Sequence, residues 1–308
     1  MKHWKTFILG IALLQFGCGG GNGKKSPTDT FSQGSIWIVA DDAFKPFVDQ
    51  EIKIYEMVYQ GTKINVKYET EDSVFTDLMK YDTLRLAITA RALTKQEMDY
   101  FHSKTYEPEE VKIATDAMAL IVNNSNPDSI FTLSTIKDIL SGKDSTWALV
   151  NEKNKLGKVT VVFDHENSSN SRYIHDSILK GQKFPSYCFA VHNNAQVIDY
   201  VNKHEGSIGV VGVNWISDTY DSTVMKFLSQ VRIAAISKAK DSTSYQPYQA
   251  YMKMNQYPLC RDVYIIKTEP RLGLGTGFTA FVAGEKGQRI ILKAGLLPTV
   301  IPTRIVKF

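Results

Sequence analysis

The feature that most constrains this chain is a regular alternation of strand and helix periodicity that sets in at Ser35. Ser35 to Ala40 (SIWIVA) reads as a buried strand. Apolar residues then recur at 44, 47, 48, 52, 55, 58 and 59, which is helical spacing, and Pro46 sits in the first turn where its missing N–H costs nothing. Ile64, Val66 and Tyr68 alternate as a second strand. Phe75 to Met79 is a short helix, Leu84 to Thr89 (LRLAIT) a third strand, and Lys95 to Phe101 a further helix. This rhythm implies a parallel sheet with covering helices, an α/β architecture.

Lys112 to Asn123 is a longer apolar run than one mean strand, so it is expected to cross from one domain into another. After it, TIKDILSG reads as a helix with Ser134 as N-cap and Gly142 as its stop. Strands are expected at 158–163, 187–191, 207–213, 231–236 and 262–267, and helices at 173–180, 195–204, 277–283 and 286–294. The glycines of GLGTG (Gly273, Gly275, Gly277) are similar to a phosphate loop, but they follow Pro270 with no abutting strand and read as a turn. With 308 residues and 43% hydrophobic content, the chain has ample material for a core. A net charge of +4 is too small to imply a nucleic-acid partner.

The N-terminus has a different character. Met1 to Lys5 is a short basic head, and Phe7 to Leu14 (FILGIALL) is an apolar run of eight, right for a signal segment and too short to span a membrane. Gln15-Phe16-Gly17-Cys18 resembles the lipobox of bacterial lipoproteins, with Gln15 where an aliphatic residue is usual. Residues 1–17 are therefore expected to be a signal peptide and 18–33 a flexible tether lipidated at Cys18. The other two cysteines, Cys188 and Cys260, are expected as free thiols rather than a disulfide.

One polar stretch carries the functional question. Asp164 to Tyr173 (DHENSSNSRY) joins a strand to a helix. A helix start leaves backbone N–H groups unpaired and carries about half a positive charge. The hydroxyls and Arg172 suit an oxyanion, whereas plain capping needs only one Ser or Asn. On these residues alone both readings stand.

A wider resemblance bears on the choice. Asn123, Asn126-Pro127, Leu133-Ser134, Ser141-Gly142 and Trp147 lie in a segment that resembles the middle of the phosphate-binding proteins of ABC transporters. Ser169-Asn170-Ser171-Arg172 resembles that family's Ser-Gly-Thr-Arg. GSIGVVGVNWI at 206–216, YPLCRDVYIIK at 257–267 and GQRIILKAGLLP at 287–298 follow in the family's order. The resemblance runs from about Ser35 to Pro298. It implies a two-lobed periplasmic binding protein of type II, each lobe a sheet flanked by helices. Lobe one would combine 34–116 with 214–308, lobe two would be 117–213, and the ligand would lie in the cleft between them.

The N-terminal loops depart from the family. Where it has Gly, Ser and Thr, this chain has Asp41-Asp42-Ala43-Phe44 and Glu71-Asp72-Ser73; Thr89-Ala90-Arg91 replaces a Ser-Arg or Ser-Asp pair, and His165 stands where the family has Arg. The ligand-binding candidates implied are Ser169, Asn170, Ser171, Arg172, His165, Asp41, Asp42, Ala43, Phe44, Asp72, Ser73 and Arg91. Ser169 and Ser171 are expected to aim their hydroxyls at one spot. Asp41 or Asp42 is expected either to accept a proton-bearing ligand oxygen, which favours phosphate over sulfate, or merely to cap a helix.

No Walker loop, GxSxG, HExxH or CxxC occurs, and the histidines show no metal spacing. The expected protein is not an enzyme and needs no cofactor or metal. It would be a lipid-anchored monomer at a bacterial membrane, periplasmic or on the cell surface, with no nucleic-acid partner. It would pass inorganic phosphate, or a related oxyanion such as sulfate, molybdate or tungstate, to an ABC transporter permease. An oxyanion sensor and, further off, a phosphatase-like hydrolase are the alternatives.

Overall fold

The computed structural model describes residues 29–217 and 222–302. The expected signal peptide and the lipidation site Cys18 lie outside the described residues. The chain runs through β1 (Gln33–Asp41), a 3-10 turn (Asp42–Phe44), α1 (Lys45–Val58), β2 (Gly61–Glu69), α2 (Glu71–Lys80), β3 (Leu84–Thr89), α3 (Lys95–Ser103) and the long β4 (Glu109–Asn123). Then come β5 (Ile130–Thr132), α4 (Leu133–Leu140), α5 (Trp147–Val150), β6 (Thr160–Phe163), α6 (Ser169–Ser177), β7 (Cys188–Ala190), α7 (Asn194–Lys203) and β8 (Ser207–Gly212). A 3-10 turn (Val213–Trp215), α8 (Ser222–Gln230), β9 (Val231–Ile233), β10 (Ala235–Ser237), α9 (Gln249–Lys253), β11 (Cys260–Lys267), α10 (Leu274–Ala283), α11 (Glu285–Lys293) and β12 (Leu297–Pro298) complete it.

The strands order as β2-β1-β3-β11-β4-β8-β6-β7. β4 joins the two halves. Up to Ala117 it pairs antiparallel with β11, and from Met118 it pairs with β8. At the changeover Met118 N donates to Leu259 O at 2.8 Å, and the Tyr257 hydroxyl donates to Met118 O at 2.6 Å. The 15-residue β4 is nearly all buried beyond Lys112, which is why the sequence showed a continuous apolar run there instead of an alternation.

Several expectations are corrected. Thr132, not Ser134, caps α4, accepting from Thr135 N at 2.9 Å. The single strand expected at 231–236 is two strands in different sheets, β9 on β4 and β10 on β5. Helix α6 begins four residues earlier than expected, so Ser169 to Arg172 form its first turn. GLGTG is the start of α10 rather than a turn. Residues 222–237, expected in lobe one, pack on the other half: β9 pairs with Ile121–Asn123, and Phe227 and Val231 share an apolar cluster with Val197 and Ile198. The tether expected to reach residue 33 ends sooner, because Asp29 is held by Arg85 at 2.7 Å and by Arg271. Cys188 and Cys260 are free thiols, each pushed up to about 12 by burial.

Candidate functional site

The carboxyl ends of β1 and β6 lie near the point where β4 changes partners, and Asp41, Asp164 and Ser168 to Ser171 are buried there. From the first half come Asp41 at the end of β1 and the 3-10 turn that follows it. Asp41 Oδ1 accepts from Ala43 N at 3.0 Å and so caps that turn. Ala43 O in turn accepts from Asn214 Nδ2 at 3.0 Å and Trp215 Nε1 at 2.9 Å, which ties the turn to the segment after β8. Phe44 is fully buried, and the Arg261 guanidinium lies 5.1 Å from its ring centre.

Arg261 is the residue the sequence reading missed. It stands directly opposite Asp116 in the β11–β4 register. Its Nε donates to Asp116 Oδ2 at 3.1 Å, and its side chain is only 3% exposed. Nη2 lies 3.0 Å from the same carboxylate oxygen in the ion pair, and Nη1 has no hydrogen-bond partner. A buried guanidinium nitrogen left unsatisfied is costly unless an acceptor meets it. Asp116, a lone charge inside an apolar strand run, was the sequence signal for this pair.

The second half contributes α6. Its N-cap is Ser168, whose Oγ accepts from Ser171 N at 3.1 Å and donates to Asp164 Oδ1 at 2.6 Å. Asp164 Oδ2 also accepts from Asn170 Nδ2 at 2.9 Å and Asn194 Nδ2 at 3.0 Å. Burial pushes the Asp164 carboxyl above the usual carboxylate range, and these donors offset that only in part. Ser169 Oγ is buried beside Asp41 and near enough to favour its ionised form, yet neither Ser169 Oγ nor Asp41 Oδ2 completes a hydrogen bond. Asn170 Oδ1 is likewise without a partner.

The other expected residues divide. Arg172 bridges the two halves to Glu71, donating from Nε to Oε2 and from Nη2 to Oε1 at 3.1 Å. Arg91 is spent on Glu97, with two contacts of 2.8 Å, and stacks 3.7 Å over Phe75. Ser171 turns its hydroxyl back to Glu166 O at 2.7 Å, away from Ser169's. Ser73 Oγ accepts from Thr70 Oγ1 at 3.1 Å within its own half. Asp72 lies at the mouth, where a cavity of about 320 Å³ separates it from Asn167, Ser171, Arg172 and His175. His165 is exposed on the turn and takes no part in the cluster. Asp42 has one buried oxygen, Oδ1, with no partner, and burial with Asp164 nearby pushes it up to about 6.

This geometry has known counterparts. A PBP superfamily domain matches residues 25–286. The chain belongs to the PBP superfamily. The type II periplasmic binding protein fold accounts for the strand shared between its halves. Among relatives, "Phosphate-binding protein PstS" of Staphylococcus aureus (strain USA300) is 25% identical over 296 residues, covering 94% of this chain and 86% of that protein. A putative phosphate ABC transporter substrate-binding protein with bound phosphate from Clostridium perfringens superposes with a TM-score of 0.73 at 20% identity, covering 87% of this chain and all of that one. An ABC-type phosphate transport receptor from Vibrio cholerae gives 0.64 at 19% identity, covering 86% and 100%. Among the described residues of this PBP superfamily member, no helix is long and apolar enough to cross a membrane.

Proposed function

We propose that this protein captures inorganic phosphate between its two halves and delivers it to an ABC transporter permease, as a binding protein rather than an enzyme. The observation that carries the reading is the set of buried donors that complete no hydrogen bond: Arg261 Nη1 from β11 and Ser169 Oγ from the first turn of α6. A tetrahedral oxyanion offers several acceptor oxygens to such a set, and the α6 N-terminus adds a favourable partial charge. Micromolar capture needs about 8 kcal/mol. Charge-assisted hydrogen bonds contribute about 1.5–3 kcal/mol each, so roughly three to five converging donors are needed. The relatives named for phosphate binding support the same reading.

Calorimetric titration with phosphate, sulfate and molybdate tests it. Phosphate is expected to bind with micromolar or better affinity, and Arg261→Gln to abolish binding in protein that circular dichroism shows folded. If no oxyanion binds the parent, or Arg261→Gln binds as the parent does, the reading falls. Export and lipidation at Cys18 belong to the same proposal, supported by the basic head, the apolar run and the Gly17-Cys18 junction. Cys18→Ala is expected to free the protein from membranes in a carbonate wash, and a variant that stays bound overturns the anchor.

A further inference from the structure

The cleft poses a charge problem for any anion. Its buried carboxyl groups are Asp41 at the end of β1, Asp42 in the 3-10 turn, Glu71 on α2, Asp116 on β4 and Asp164 after β6. The cations facing them are Arg261 on β11, Arg172 on α6, Lys45 at the start of α1 and Arg91 after β3, whose Nε lies 3.9 Å from Glu71 Oε2. Pairing accounts for most of these: Glu71 with Arg172, Asp116 with Arg261, and Asp164 with three neutral side-chain donors. Two are left over. Asp42 is half-buried with Lys45 nearby. Asp41 is 1% exposed, its only backbone donor serves Oδ1, and Oδ2 is buried without a partner. Its nearest cation already neutralises Asp116. An ionised Asp41 there lacks water and a cation of its own, and a doubly charged ligand beside it adds repulsion in a low-dielectric site. The neutral acid removes that charge and turns the orphan oxygen into an O–H donor.

We propose that Asp41 carries a proton at neutral pH and donates it to the captured oxyanion, so that the protonation of Asp41, rather than of the ligand, decides which oxyanions the cleft accepts. The inference rests on the phosphate reading above and reverses the role expected from sequence, where a carboxylate accepts from a protonated ligand and rejects sulfate. Burial and the neighbouring Glu71 push Asp41 up to about 8, in keeping with the geometry. With Asp41 neutral, sulfate meets a donor. Once Asp41 ionises, hydrogen phosphate can still donate to it, whereas sulfate meets only repulsion. Selectivity for phosphate over sulfate therefore rises with pH.

Phosphate and sulfate affinities measured from pH 6 to pH 10 test this. The parent is expected to bind both ligands at pH 6, and sulfate affinity to fall about tenfold per pH unit above the Asp41 transition, phosphate less steeply. Asp41→Asn keeps an N–H donor and cannot ionise, so its sulfate affinity is expected to be flat across that range. In the unmodified protein, calorimetry in buffers of different ionisation heat is expected to show nearly one proton taken up per sulfate at pH 9. Glu51, buried on α1 with both oxygens unpartnered, is pushed up to about 9, so its contribution to folding stability is lost as the pH rises through that value. Each titration is therefore run on protein shown folded by circular dichroism. Phosphate bound without sulfate at pH 6, parallel pH profiles for the two ligands, or no proton uptake with sulfate overturns the proposal and leaves the phosphate reading standing. Failure of both ligands at every pH ends both.

Discussion

Helices α10 and α6 both begin on small polar residues, Gly273-Leu274-Gly275-Thr276 and Ser168-Ser169-Asn170-Ser171, and both starts are suited to an anion. At α10 the anion is the chain's own. Glu269 accepts from Gly273 N at 3.1 Å, Gly275 N at 3.3 Å, and Thr276 N and Oγ1 at 2.8 Å each, while Asp29 takes Leu274 N at 2.9 Å. The glycines make room for this. A Cβ on Gly273 would lie 2.6 Å from Glu269 Oε1, and one on Gly277 would lie 2.2 Å from Phe31 O. At α6 Asp164 binds the side chains of Ser168 and Asn170 rather than the first backbone amides, and Ser169 Oγ completes no hydrogen bond. The same local chemistry thus locks a fold in one place and makes a candidate binding site in the other. The placement of one carboxylate makes the difference.

That comparison can be broken in four ways. The largest effect is expected from Glu269→Ala, which strips four hydrogen bonds from α10 and one from Arg85. A loss of about 3–5 kcal/mol follows, read as a lower urea midpoint, with phosphate affinity of the folded protein unchanged. High sulfate is expected to restore more stability to this variant than to the parent, because the freed amides then find an external anion. Ser169→Ala comes next, with phosphate affinity down roughly tenfold to hundredfold by calorimetry and little change in midpoint. Ser171→Ala is expected to act the opposite way round. It costs about 1 kcal/mol of stability, because its hydroxyl serves Glu166 O and Ser168 O, and leaves affinity within about twofold. The smallest effect belongs to His165→Ala, within about 0.5 kcal/mol in stability and with unchanged affinity, as for an exposed side chain outside the cluster.

Elements with strong periodicity were legible because periodicity is local: LRLAIT is β3 to the residue, and β4 shows its burial as an unbroken apolar run. Boundaries set by partners elsewhere were not. Val231 to Ile236 is continuous in sequence, but Ala234 N donates to Leu120 O and Ala235 N to Ser129 O, so two sheets divide it. The first turn of α6 escaped because Ser169 to Arg172 carry no apolar periodicity; the helix there is held by a cap and by buried polar contacts. Of the expected ligand residues, Asp41, Asp42, Ser169 and Asn170 come together with atoms to spare, whereas Arg172 and Arg91 face Glu71 and Glu97.

By itself the sequence determined the α/β class and the strand that crosses between halves, since periodicity acts over a few residues. Tertiary structure decided which charges remain available. Arg261 and Arg172 are alike in sequence, each an arginine in an element facing the cleft. Arg172 meets the carboxylate of Glu71 from the opposite half, whereas Arg261 meets one oxygen of Asp116 with Nε and Nη2 and keeps Nη1 without a partner. Whether a buried donor is satisfied depends on atoms that approach from distant parts of the chain, and only the packed fold brings them within the roughly 3 Å that a hydrogen bond requires.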